Sequence, residues 1–213
     1  MNFFQTFFSP NNQQESLETI SSSTVVWIHG ANSSSLSFAF LRSTLKFENE
    51  ILINYSSMNS FYDNLETMKQ DLANAGPIFF VGHSLGGLYA LHLTQYTNAI
   101  GGVSISTPFG GSFTADWAKY IVPTYPLFGD VGRWSKPVLE SLNIQLSIPW
   151  TQIVSTMGSV PYHGGENDGV VTLSSMRARK DVDIVELPHT HYEVVLSNDT
   201  AETILQKYNS INC

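Results

Sequence analysis

The sequence predicts an α/β fold: a mostly parallel sheet of about six strands with helices on both faces, in a single domain over residues 1–213, carrying a helical cap insertion at 109–149. Three observations carry this reading. Short, continuously apolar runs recur along the chain, as in strands buried on both faces. Between them lie stretches with apolar residues three and four apart, the spacing of a helix laid on a sheet. Strands that alternate with helices in this way build parallel sheets, and a chain of 213 residues buries enough core to stand without metals or disulfides.

The opening MNFFQTFFSPNNQQES is aromatic but lacks a positive segment, a long apolar stretch and a small-residue cleavage pattern. It is read neither as a signal peptide nor as a membrane span. Phe3, Phe4, Phe7 and Phe8 read as an initial strand or arm, with a surface-contacting apolar tag as the alternative. Thr24 to His29 (TVVWIH) is the first buried-type strand, and the loop Gly30 to Ser35 follows it. Leu36, Phe38, Phe40, Leu41 and Leu45 then share a helical face, with Ser34 or Ser35 as its cap. Glu50 to Tyr55 is a second strand, and Ser60 to Ala75 a helix carrying Phe61, Leu65, Met68 and Leu72, stopped by Gly76-Pro77. The third strand runs into Ser84, and its helix continues to about Tyr96. Ala99 to Ser106, Thr151 to Thr156 and Asp181 to Leu187 complete the strands, and a terminal helix covers Thr200 to Tyr208.

The interval from Pro108 to Pro149 breaks this rhythm, being too long for a plain connection. It holds Phe109, Phe113, Trp117, Tyr120, Tyr125, Phe128 and Trp134 among prolines and glycines. One reading is a pair of helices that extends the core. The other, preferred because the interval starts at a strand's C-terminal end on the side of Ser84, is a cap over the strand ends, where ligands bind in open α/β sheets.

Few residues are charged and the net charge is -8. That balance argues against a nucleic-acid partner and offers no basic surface to an anionic membrane. No run is long enough for stable membrane insertion, so a cytoplasmic location is expected. The only cysteine is Cys213, which leaves no intramolecular disulfide and no thiol catalyst, and is compatible with a reducing compartment.

The most informative stretch is Pro77 to Ala90, PIFFVGHSLGGLYA. An apolar strand stops at Gly82, Ser84 stands at the apex, and a helix-compatible run follows, the context of a nucleophile elbow. Gly82, Gly86 and Gly87 provide the room that so sharp a turn requires. A serine hydroxyl is a poor nucleophile unless a base lies within hydrogen-bonding reach and a third group orients that base. In elbow architectures the chain order is serine, acid, histidine. Asp168 is the leading acid, in the loop after the fifth strand, with helix capping as a compatible role and Glu166 in reserve. His191 and His189 are the candidate bases in the loop after the sixth strand, and His191 is preferred because it directly precedes the apolar segment Tyr-Glu-Val-Val-Leu. His29 ends the first strand and reads as a brace for the Gly30 loop. Oxyanion donors are expected from the Leu85 N–H and from Ala31, with Asn32 the alternative. Asn32, Phe109 and Trp117 are the candidate substrate contacts. The histidines show no metal-ligand spacing, so neither a metal nor a cofactor is expected.

The segments WIHGANSS, FFVGHSLGGLYAL, ISTPFGGS, ENDGVV and LPHTHYEVV, in this order, resemble the α/β-hydrolase family, and within it the lipase- and esterase-type members. The resemblance runs from Val25 over nearly all the remaining chain. It implies Ser84 as nucleophile, Asp168 as acid and His191 as base, with the Ala31 and Leu85 amides as oxyanion donors. It also implies a carboxylesterase or lipase acting through an acyl-enzyme on a small-molecule ester or lipid, and the aromatic cap points to an apolar acyl group. An acyltransferase or thioesterase would use the same triad, whereas a non-catalytic binding protein would usually lack one of these residues. Two departures stand out. Phe109 occupies the place where lipase-like members often carry His after Thr-Pro, and few residues precede the first strand, so the leading antiparallel hairpin of the family is not expected.

Overall fold

Six parallel strands form one sheet in the order β2-β1-β3-β4-β5-β6, with β1 Thr24–Ile28, β2 Glu50–Ile53, β3 Ile78–His83, β4 Ala99–Ile105, β5 Trp150–Ser155 and β6 Asp183–Leu187. The computed structural model describes residues 23–112, 115–116, 126–158, 160–161 and 165–212. The aromatic residues Phe3, Phe4, Phe7 and Phe8, and also Phe113, Trp117, Tyr120, Tyr125, His163 and Cys213, lie outside the described residues.

Alternation along each strand sends side chains to two cores. Val26, Ile28, Ile78 and Phe80 face the helices α2 Phe61–Asp71 and α3 Leu85–Leu93 on one side. Val25, Trp27, Phe79 and Val81 face the other, where α1 Ala39–Leu45 and the C-terminal helix Asn198–Ile211 lie. The central strands β3 and β5 are buried along their whole length because both faces are covered, whereas β6 is partly exposed, as suits an edge. Ser60 caps α2 by accepting the Asp63 N–H. Ser34 precedes the short 3₁₀ turn Ser35–Phe38, but its side chain makes no capping bond; its carbonyl is the acceptor instead, from the N–H and the hydroxyl of Ser37.

The interval expected to form a cap divides in two. The helix Lys136–Asn143 packs beside α3 on the sheet, burying Val138 in the core, while its Pro137 carbonyl accepts from His92 Nε2 on α3 at 2.9 Å. This half is the ordinary crossover between β4 and β5, because its apolar stripe meets the helix layer rather than the strand ends. The short helix Pro126–Asp130 stands nearer the strand ends. Its Asp130 carboxylate accepts the Phe61 N–H at the start of α2 (2.9 Å), and burial followed by the charge of Asp63 raises this carboxyl, which that N–H opposes. Among the described residues, no helix is long and apolar enough to cross a membrane.

Candidate active site

The turn from β3 into α3 is closed by sterics. Ser84 has φ 53° and ψ -121°, a conformation that side-chain-bearing residues rarely hold. Its N–H donates to the Ile105 carbonyl at 2.8 Å, so the sheet ladder pins the strained residue in place. A Cβ on Gly86 would lie 2.0 Å from the Ile28 carbonyl oxygen, one on Gly82 2.6 Å from the Gly86 carbonyl oxygen, and one on Gly87 1.8 Å from Thr107 Oγ1. Helix and strand therefore approach closely only because all three lack side chains.

Two loops at the same sheet edge bring an acid and a base together. Asp168, fully buried, follows β5; His191, 2 % exposed, follows β6. His191 Nδ1 lies 2.7 Å from Asp168 Oδ2, and the His191 backbone N–H donates to the Asp168 carbonyl at 3.0 Å. Asp168 Oδ1 accepts the N–H groups of Val170 (2.9 Å) and Val171 (2.7 Å), so the predicted capping contact coexists with the pairing. Burial pushes the Asp168 carboxyl up, but the His191, Ser155 and Val171 donors outweigh it and hold the group below its ordinary value. Because an ionised carboxylate can only accept, Nδ1 of His191 carries a proton, and in the neutral ring the lone pair is on Nε2. His189, the rival base, turns instead toward Asp199, with Nε2 3.4 Å from its carboxylate. Glu166, the reserve acid, lines a separate polar cleft with Arg177 and Glu186.

Ser84 and His191 open on one cavity of about 350 Å³, whose walls include Ala31, Asn32, Leu127, Val170 and Val195. The Asn32 N–H donates to Ser57 Oγ at 2.9 Å, which fixes the loop and leaves the Ala31 and Leu85 amides as the oxyanion candidates. His29 braces this loop, as its place in the sequence suggests. Its Nδ1 donates to the Gly30 carbonyl (2.7 Å), its Nε2 accepts the Tyr55 N–H (3.3 Å), and its ring stacks on that of Tyr55. Burial lowers its pKa, consistent with a neutral ring.

Of the expected substrate contacts, Asn32 lines the cavity, Trp117 lies outside the described residues, and Phe109 is a correction. The Phe109 side chain is fully buried in the helix-side core, under the Arg179 guanidinium, because the tight turn from Thr107 to Gly111 directs it inward. Sequence reasoning passed over two serines that shape this site, and His83 adds to them from within the elbow motif. Ser155 and Ser106 form a buried hydroxyl chain to Asp168. His83, beside the nucleophile candidate, donates from Nε2 to the His191 carbonyl at 3.0 Å, and burial lowers its pKa to about 3. His83 stands inside the elbow motif and Ser106 and Ser155 at strand ends, but their partners are remote in the chain. Among the described residues, no group of three His, Cys, Asp or Glu side chains could hold a metal ion.

Comparison with known proteins places these features in context. A family model described as "Alpha/beta hydrolase family" matches residues 25–193. No curated protein matches the sequence. Among solved structures, the chain is similar to a lipase-esterase related protein from Clostridium acetobutylicum, with TM-score 0.62 and 14 % identity over 90 % of this chain and 96 % of that one. It is also similar to a pyrethroid hydrolase from Sphingobium faniae, at TM-score 0.61 and 15 % identity over 88 % and 98 % of the two chains. A third likeness is to tomato methylketone synthase I in complex with 2-tridecanone, at TM-score 0.61 and 15 % identity over 89 % and 99 %. At such identities these likenesses concern the fold.

Proposed function

The chain belongs to the alpha/beta hydrolase family, and within it we propose that it is a serine hydrolase of carboxylic esters with an apolar acyl group, a carboxylesterase or lipase acting through an acyl-enzyme. The observation that carries this reading is the 2.7 Å pair of Asp168 and His191 facing the same cavity as Ser84. In the reaction, Ser84 Oγ attacks the ester carbonyl carbon while His191 Nε2 takes its proton. Asp168 holds the ring through Nδ1 and stabilises the imidazolium. The carbonyl oxygen, now negative, receives the Leu85 and Ala31 N–H groups, at the start of a helix whose dipole also favours the charge. His191 then gives its proton to the departing alcohol. A water, deprotonated by the same nitrogen, attacks the acyl carbon and returns the free serine with release of the acid.

Leu127, Val170 and Val195 on the cavity wall support an apolar acyl group, and about 350 Å³ is at the small end of the ~300–1,000 Å³ typical of ligand sites. The test is hydrolysis of a series of p-nitrophenyl esters by the wild type and Ser84→Ala. The variant is expected to lose activity by ~10⁴-fold or more; hydrolysis at the wild-type rate by the folded variant refutes the assignment. Labelling of the wild type at Ser84 by a fluorophosphonate probe provides the matching positive result.

A further inference from the structure

We propose that Ser155 is a positioning residue for the acid–base pair and that Ser106 acts on it through a one-way hydrogen-bond relay ending on Asp168; this rests on the reading of Ser84, Asp168 and His191 given above. Ser155 closes β5 and Ser106 directly follows β4, both fully buried. Their Oγ atoms are 2.6 Å apart, and Ser155 Oγ is 2.5 Å from Asp168 Oδ2, the same oxygen that His191 Nδ1 approaches.

Valence sets the direction of the relay. An ionised carboxylate has no proton to give, so the single Ser155 hydroxyl proton points at Asp168, and Ser106 must donate to Ser155. Chains of this kind polarise one another, so each member becomes a stronger donor to the next. Four donors then occupy the four lone-pair sites of Asp168: Val170 and Val171 N–H on Oδ1, Ser155 O–H and His191 Nδ1–H on Oδ2. Ser155 and His191 thus compete for the electron density of one oxygen. By drawing on it, Ser155 keeps a fully buried carboxylate ionised and limits how tightly that carboxylate holds the imidazolium. Ser106 is held in place for this task in a left-handed conformation, φ 51°, with its N–H bonded to the Ile153 carbonyl at 2.8 Å.

The His191 ring is faced by Asp168, by His83 from the end of β3 and by Tyr192 on its own loop. His83 stays neutral throughout the relevant range, since burial lowers it to about 3. Ser155→Ala, Ser106→Ala, the double variant and Ser155→Thr are compared by the acidic limb of kcat/KM for a p-nitrophenyl ester and by NMR titration of the His191 ring protons. Ser155→Ala makes Oδ2 more basic, so both midpoints are expected to move up by ~0.5–1 pH unit. Ser106→Ala moves them the same way by a smaller step, the double variant matches Ser155→Ala, and Ser155→Thr keeps the wild-type limb. The coincidence of double and single variants is what a relay requires, because Ser106 then acts only through Ser155.

Unmoved His191 titration in folded Ser155→Ala, or a Ser106→Ala shift that adds in full to that of Ser155→Ala, overturns the inference. If Ser155→Ala fails to fold, the Ser106→Ala shift decides: its presence supports the relay and its absence refutes it. The NMR titration reads the relay without turnover, so failure of Ser84 to label with fluorophosphonate sinks the functional reading while leaving this result interpretable.

Discussion

Gly86→Ala is the most demanding test of the elbow, because two opposing effects can be sized. Gly86 lies in the first turn of α3, where alanine in place of glycine would stabilise a free helix by ~1 kcal/mol. Against this, the new Cβ would meet the Ile28 carbonyl oxygen at 2.0 Å and the His29 carbonyl oxygen at 2.5 Å, backbone atoms at the end of β1 and just beyond it that cannot swing aside. Restoring ordinary contact of 3.4 Å requires the helix start to withdraw from β1 by about 1.4 Å. Overpacking of this kind costs ~1–3 kcal/mol or more, which exceeds the propensity gain. Net destabilisation of up to ~2 kcal/mol in urea unfolding follows. The same displacement carries Ser84 and the Leu85 N–H away from the cavity, and a misplacement of about 1 Å can cost ~10²-fold in rate. The assay is ester hydrolysis and fluorophosphonate labelling, normalised to folded protein. A Gly86→Ala protein as stable and as readily labelled as the wild type would show that close approach of α3 to β1 is not what aims Ser84.

Asp168→Asn is expected to lose both activity and stability. One amide orientation sets NH₂ against the Val170 and Val171 N–H groups; the other spares them but faces His191 Nδ1 with a donor, which drives the proton to Nε2. Esterase activity falls ~10³–10⁴-fold, and the melting temperature drops; an Asn variant with wild-type kcat refutes the role. His83→Gln tests the buried neutral histidine. In the native state His83 titrates at about 3 and in the unfolded chain near its ordinary 6.5, so below pH 6.5 the unfolded state binds a proton that the folded state refuses, and stability falls with acid. Between pH 6.5 and 5 the wild type should lose ~1.5 kcal/mol more than the variant in urea unfolding; parallel losses refute the assignment. Arg179→Met removes a buried guanidinium that donates to the Ser141 and Ile144 carbonyls and pairs with Asp181. A loss of ~2–4 kcal/mol is expected from the stranded carbonyls, with kcat per folded molecule unchanged; loss of kcat instead would tie this clasp to the cavity.

What was legible in the sequence was what is enforced locally. The elbow could be read because Gly82, Gly86 and Gly87 answer a steric demand within a few residues of Ser84. The strands could be read because burial on both faces leaves a continuous apolar run. The helix Lys136–Asn143 could be read either as cap or as an extension of the core because an amphipathic stripe states that a helix is covered, not by what: Val138 would look the same against a lid cavity as against α3. Phe109 sits in a glycine-rich loop that resembles a site loop, yet the turn that holds it points its ring into the core. Ser106 and Ser155 left no trace, since each is an ordinary serine at a strand end until parallel pairing of β4 and β5 sets their hydroxyls side by side.

The distribution of backbone strain argues independently for this edge of the sheet. Among the described residues other than glycine, only Asn32, Lys46, Ser84 and Ser106 have φ in the left-handed region. Lys46 is a helix C-cap, a place where that conformation is routine. The other three follow β1, β3 and β4, which are adjacent in the sheet, and each is pinned through its N–H: Asn32 to Ser57 Oγ, Ser84 to the Ile105 carbonyl, Ser106 to the Ile153 carbonyl. A serine in such a conformation costs ~1 kcal/mol or more, and a fold that needed only to be stable would place glycine there, as it does at Gly76 and Gly111. Side chains stand at these positions despite the strain, which therefore gathers at the sheet edge where Ser84 and Ser106 lie.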